Sequence, residues 1–181
     1  MNLLICIGEH RKTINPLKMR HKILISLLVP FFLLQNLAAQ DESLELVPRA
    51  ESFFRSVYEG GNLENVDNLA GEDIVSTYPI YEQILGKKAI HGKEAYKQFV
   101  IRFNTKWKNC QVTIDETISQ GDKVVLIWSF SAQSANEGGE NDALGQPQNW
   151  GGITLLRFDR SGKIIEEIGE ESNPGPFGRL K

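Results

Sequence analysis

WGGITLLRFDRSGKIIEEIGEE, residues 150–171, reads as two strands and the turn that joins them. Trp150 to Asp159 mixes β-branched, aliphatic and aromatic side chains, the composition of a pleated, half-buried surface. Asp159-Arg-Ser-Gly-Lys163 is a hairpin turn, with Gly162 where a positive φ is wanted. Ile164 to about Glu171 is the return strand. Upstream, VVLIWSFSA (124–132) is another such strand, entered through the turn Gln120-Gly-Asp-Lys123. Before that, Cys110, Val112 and Ile114 alternate with Gln111, Thr113 and Asp115. Four consecutive strands therefore form a meander. The one long interruption, the polar and Gly-rich loop 133–148, is long enough to suspect a functional rim or lid.

Ahead of the meander the period changes from two to between three and four. Pro48 suits a first helical turn, and Ala50, Phe53, Phe54, Val57 and Tyr58 follow at helical spacing until Gly60-Gly61. Asn62 caps a second, short helix bearing Leu63, Val66 and Leu69. Asp73 to Pro79 reads as a short strand. Gly92 opens a third helix with Ala95, Phe99, Phe103 and Trp107 placed on one face. The order α, α, β, α, then four strands predicts an α+β fold, with helices on one face of a curved antiparallel sheet and a cavity at its open end.

The composition is globular: 41% hydrophobic and 24% charged over 181 residues, with a net charge of −3. The charge is unevenly spread. Residues 1–39 hold five basic side chains and one acid; residues 40–181 hold 15 bases and 22 acids. An acidic body argues against a nucleic-acid partner, which demands a basic footprint. Arg20, His21 and Lys22 precede the 12-residue apolar run Ile23–Leu34, and Ala38-Ala39 ends the segment. That is the pattern of a secretory signal peptide, residues 19–39, cleaved near Ala39. The run is shorter than the roughly 20 residues a spanning helix needs, so no stable membrane anchor is expected. Residues 1–18 read as an upstream extension or start-site error, residues 40–181 as a single domain, exported to the periplasm or the exterior. Only Cys110 and His91 of the Cys and His residues fall in that domain, which leaves no internal disulfide and no metal site; Cys110 is expected to be a small buried hydrophobe. No nucleotide-binding or nucleophile motif is present, and no cofactor is expected.

The helix opening IHGKEAYKQF (90–99), the strand GDKVVLIWSFSA (121–132) and the closing GGITLLRFDRSGKIIEE (151–167) resemble the NTF2-like superfamily. Within it they are most similar to SnoaL-like polyketide cyclases and ester-cyclase-type proteins, over roughly residues 47–172. The resemblance implies a cone-shaped fold, a curved antiparallel sheet wrapped by about three N-terminal helices, with dimerisation through the outer sheet face. Catalytic members carry an acid inside the cone. SnoaL-type cyclases often have Trp-x-x-x-Asp on the last strand; the matching stretch here is Ile168-Gly-Glu-Glu-Ser172, so Glu171 stands one place from the Asp position. The isomerase branch has an Asp where this chain has Thr154, and its general base falls near Thr77-Tyr78, where there is no carboxylate.

Alternation groups Ile165, Glu167, Gly169 and Glu171 on one face of the last strand, and Ile164, Glu166, Ile168 and Glu170 on the other. The resemblance turns the first face into the cone, which makes Glu167, and after it Glu171, the candidate proton-transfer groups. Trp150 and Thr154 share the inward face of the preceding strand, Thr154 as a hydroxyl for a bound carbonyl and Trp150 as a cap on an apolar ligand. Tyr78 is a candidate ligand-orienting phenol, while Tyr81 is expected to staple its loop. His91 is the one side chain of the domain that titrates near neutral pH unaided. The expected function is an exported cone that binds a small apolar or carbonyl-containing molecule without catalysis, as a homodimer. The alternative is a cofactor-free acid/base enzyme, a cyclase, isomerase or hydrolase-like protein, using a pocket glutamate.

Overall fold

The computed structural model describes residues 45–135, 147–176 and 178. The expected leader 19–39, the stretch 1–18 and the tip of the 133–148 loop lie outside them. Helix α1 covers residues 45–60 and buries Ala50, Phe53, Phe54, Val57 and Tyr58. Its last turn, Ser56–Gly60, widens to a π-helix and stops at Gly61, whose φ of 63° is the left-handed cap that glycine accepts freely. Asn62 then starts α2 (Leu63–Leu69), its side chain accepting a hydrogen bond from the Asn65 amide at 3.0 Å. Strand β1 is Ala70–Thr77.

Two short elements separate β1 from the long helix. Ile80–Leu85 forms α3, and Ile90–His91 forms β2. Neither stands out in the sequence, because one and a half turns and a two-residue bridge are too short to show a period. Helix α4 runs Lys93–Lys106 and buries Tyr96, Phe99 and Val100, with Phe103 half-buried. The expected stripe of Ala95, Phe99, Phe103 and Trp107 is corrected: Ala95 is exposed and Trp107 begins β3. Residues spaced by four drift about 40° per step around a helix of 3.6 residues per turn, so four of them cannot share a face. Alternating steps of three, one and three stay on it.

Strands β3 (Trp107–Gln120), β4 (Lys123–Ser134), β5 (Pro147–Phe158) and β6 (Ile164–Ser172) form the antiparallel meander. The sheet order is β2-β1-β6-β5-β4-β3, with β1 parallel to β6. Register shifts in β3 and at the β5–β6 start bend this unclosed sheet around its helices. Strand β4 alternates strictly, burying Val124, Leu126, Trp128, Phe130 and Ala132 against the helices. Rings join the layers: Phe53 stacks on Tyr96 at 5.6 Å, and Phe54 meets Trp128 at 5.3 Å. Asn104 Nδ2 donates to the carbonyls of Val57 (2.7 Å) and Val100 (2.9 Å), tying α4 to the π turn. The α+β cone expected from the sequence is the fold observed.

The shift between Arg157 and Phe158 corrects one face. Phe158 pairs with Ile164 and Arg157 with Glu166, so Ile164 and Glu167 both point inward while Ile165 is exposed. Beyond the bulge, Glu167, Gly169 and Glu171 keep the inward alternation. Cys110 is a free thiol, half-buried rather than fully enclosed. Among the described residues no helix is long and apolar enough to cross a membrane.

Candidate functional site

Glu167 is completely buried, yet both its oxygens are satisfied. Ser76 Oγ donates to Oε2 at 2.6 Å, and Tyr78 Oη donates to Oε1 at 3.1 Å. Two chains of hydroxyls stand behind these donors. Tyr81 Oη lies 3.0 Å from Ser76 Oγ. Thr154 Oγ1 lies 2.8 Å from Tyr78 Oη and accepts from Trp128 Nε1 at 2.9 Å. Trp128 can only donate, so one proton arrangement satisfies every member: Trp128 to Thr154 to Tyr78 to Glu167, and Tyr81 to Ser76 to Glu167. The packing that allows it uses small residues. A Cβ on Gly169 would lie 2.0 Å from Tyr78 Cε1, and one on Gly152 would lie 2.6 Å from Trp128 Cζ2.

Burial pushes the Glu167 carboxyl above the usual carboxylate range, and the hydrogen bonds from Ser76 and Tyr78 pull the other way without overcoming it. The phenols of Tyr58, Tyr78, Tyr81 and Tyr96 are pushed up, first by burial and then by the charge on Glu167. Among the described residues, Tyr96 Oη is the one buried side-chain polar atom without a hydrogen-bond partner.

Above this network lies a cavity of about 590 Å³, within the usual range for small-molecule sites. Its floor is aromatic: Tyr58, Tyr78, Tyr81 and Phe99. Phe103, Trp107 and Trp150 continue the wall. Trp150 is held by Phe130 at 4.4 Å and Trp107 at 5.1 Å between ring centres. Glu171 is the one acidic residue among those lining it, half-buried, its carboxyl pushed up by burial. Glu167 does not reach the lining; Tyr78 and Tyr81 stand between it and the space.

Residues 50–167 match the SnoaL-like domain family. The chain belongs to that family. No curated protein matches it. Several solved structures share the fold of this SnoaL-like domain. A candidate polyketide cyclase from Acidithiobacillus ferrooxidans is 19% identical, with a TM-score of 0.61 over 74% of this chain and 92% of its own. An LEH-like epoxide hydrolase from M. tuberculosis is 16% identical, with a TM-score of 0.57 over 77% and 91%. A protein with a ketosteroid isomerase-like fold from Catenulispora acidiphila, in complex with trimethylamine, is 18% identical, with a TM-score of 0.52 over 67% and 82%. At such identities the likeness is one of fold.

Within the SnoaL-like domain, the structure brings Tyr78, Trp150 and Glu171 onto the cavity as the sequence suggests. Thr154 is not among the residues lining the cavity: it is buried, with its hydroxyl engaged by Trp128 and Tyr78. His91 is corrected. It sits exposed on β2, paired with Val75, and does not line the cavity. The order of the two glutamates reverses, since Glu171 faces the space and Glu167 braces the phenols beneath it. Tyr81, expected only to staple its loop, both lines the cavity and joins the network. Sequence reasoning missed Ser76, Tyr58 and Tyr96. Ser76 carried a signal: Ile74, Ser76 and Tyr78 alternate at period two, which puts a hydroxyl on the inward face. Among the described residues no group of three or more His, Cys, Asp or Glu side chains is arranged to hold a metal ion.

Proposed function

We propose that this SnoaL-like domain binds a small, mostly apolar, carbonyl-bearing molecule in the aromatic cavity. The observation that carries the reading is the lining: seven aromatic rings border a cavity of about 590 Å³, with Glu171 as its acidic group. Such a surface removes flat apolar area from water, and a carboxyl held toward its neutral form donates a hydrogen bond to a carbonyl oxygen. Titration with 9-fluorenone, a flat tricyclic ketone, tests this. Saturable one-to-one quenching of tryptophan emission is expected, weakened by Trp150→Ala. No saturable binding up to the ketone's solubility limit overturns the reading.

A second reading is acid/base turnover, favoured by the position of Glu171 on the wall with its carboxyl pushed up by burial. Glu171 as carboxylate would take a proton from the carbon next to a bound carbonyl and return it, with no cofactor. Deuterium exchange into 2-tetralone, followed by NMR, is expected to run faster than in buffer and to lose that excess in Glu171→Gln. Exchange at the buffer rate leaves binding alone.

The reading includes export, supported by the basic, apolar and small-residue succession of residues 20–39. It also includes a homodimer through the outer sheet face. There Ile168, Leu155, Val125 and Ile118 form a cross-strand row over β6, β5, β4 and β3, and Ile168 and Ile118 are about half exposed, at 44% and 52%.

A further inference from the structure

The cavity changes character with depth. Its buried floor is four rings, and Glu171 is half-buried on the wall. Two exposed cations, Arg102 and Lys106, mark its rim one helical turn apart on α4. The basic side chains of α4 are not equivalent. Lys93 Nζ pairs with Glu72 at 2.6 Å, and Lys97 Nζ pairs with Asp67 at 3.0 Å. Lys106 Nζ lies over the Trp107 ring, 4.7 Å from its centre. Arg102 has no hydrogen bond or ion pair among the described residues, although it lines the cavity.

We propose that the ligand is an apolar carboxylate, with its body on the aromatic floor and its carboxylate in the guanidinium fork of Arg102 at the rim. This rests on the ligand-binding reading above and narrows it. The guanidinium is planar, always charged, and matches a carboxylate through two parallel hydrogen bonds. Beside a wall of rings the pair is less screened than on an open surface. The far field of the domain does not supply the attraction, because residues 40–181 carry 22 acids against 15 bases. Selection for the anion is therefore a contact property of the rim. Deeper in, Glu171 meets whatever hydrogen-bond acceptor the body carries, which separates the two polar ends of the ligand along the cavity.

The test is a matched pair of probes, 9-fluorenone-2-carboxylate and 9-fluorenone-2-carboxamide, titrated by calorimetry into the protein and into Arg102→Gln at the same pH. Arg102 is exposed and has no hydrogen bond or ion pair among the described residues, so the variant keeps its fold, and equal melting temperatures check this. The carboxylate is expected to bind roughly tenfold tighter or more, the scale of a charge-assisted hydrogen-bonded pair. The preference should vanish in Arg102→Gln and shrink with added salt. Equal or tighter binding of the carboxamide overturns the carboxylate proposal and leaves the cavity reading intact. A preference that survives Arg102→Gln overturns the assignment to Arg102. Failure of both probes to bind overturns the cavity reading and this proposal together.

Discussion

Replacing Gly169 by Ala adds one methyl group to the inward face of β6, and its consequence can be followed atom by atom. The new Cβ would stand 2.0 Å from Tyr78 Cε1, 2.2 Å from Cζ and 2.7 Å from Cδ1. Carbon atoms sit comfortably at roughly 3.5–4.0 Å, so the ring must retreat by about 1.5 Å. It can retreat only away from β6 and β5, the strands that hold its two partners. The Tyr78 bonds to Glu167 (3.1 Å) and Thr154 (2.8 Å) then stretch beyond hydrogen-bond length. Glu167 keeps only Ser76, and each weakened buried contact costs about 1–3 kcal/mol. Repacking the ring adds about 1–3 kcal/mol. Together these give a loss of about 3 kcal/mol or more, read from urea melts. The displaced ring also narrows the cavity, so 9-fluorenone binding should weaken in the folded variant. A double-mutant cycle isolates the cause: in a Tyr78→Ala background the same change at Gly169 should cost less than about 1 kcal/mol. A loss below about 1 kcal/mol in the parent, or an equal loss in both backgrounds, refutes the account of Gly169 as the seat of Tyr78.

Two further predictions test the network and the outer face. Glu167 has a folded-state carboxyl pushed above its unfolded value, so the native state retains a proton that the unfolded chain has lost, and the contribution to stability falls as pH climbs through the unfolded and then the folded value. Glu167→Gln, which does not titrate, should therefore gain on the parent between pH 4 and pH 8; an identical stability difference at both pH values in urea melts would show that the burial of this carboxyl has no energetic consequence. On the outer face, Ile168→Lys places a charge in the row with Leu155 and Val125 and should halve the mass measured by light scattering, whereas a parent that is already monomeric removes the dimer from the proposal.

Legibility in the sequence tracked the range of the interaction. The meander could be read because alternation is local: each strand carries its own pattern, and Asp159-Arg-Ser-Gly-Lys163 carries its own turn. The bulge at Ile165 could not, since it arises from the pairing of two strands, and it turned Ile165 outward against the expected face. The α4 stripe failed for a geometric reason, a run of fours mistaken for a face. The site was legible in part. Alternation put Glu167, Gly169 and Glu171 on one face and the family resemblance turned that face inward, but their depth depends on what covers them. The cover over Glu167 is made by Tyr78 and Tyr81, which come from the end of the neighbouring strand β1 and from α3, far away in sequence, and nothing in β6 reports them. His91 misled because its chemistry is conspicuous while its position, on a two-residue edge strand, is set by β1.

The buried carboxylate makes sense as a brace rather than as a reacting group. A proton-transfer group needs a free lone pair or a free proton facing its substrate. Glu167 instead has both oxygens occupied by donors, and those donors are themselves fed by Thr154 and Tyr81. The small residues opposite complete the device: Gly169 seats the Tyr78 ring, and Gly152 seats the Trp128 ring that feeds Thr154. Burial of a carboxyl is costly, and the cost is offset only while all these rings stay in register. That makes the floor of the cavity all-or-none in position. Tyr78 and Tyr81 do not swing independently, because Tyr78 is bonded to the Glu167 carboxylate directly and Tyr81 is linked to it through Ser76. Adaptation to a ligand must then come from the other side, where Phe103, Trp107 and Trp150 are only half-buried and bounded by the rim. Under the proposed ligand-binding function, a rigid polar-backed floor under a more yielding aromatic wall would select ligands first by flatness, and would leave Glu171 and Arg102 to choose among flat molecules by their polar groups.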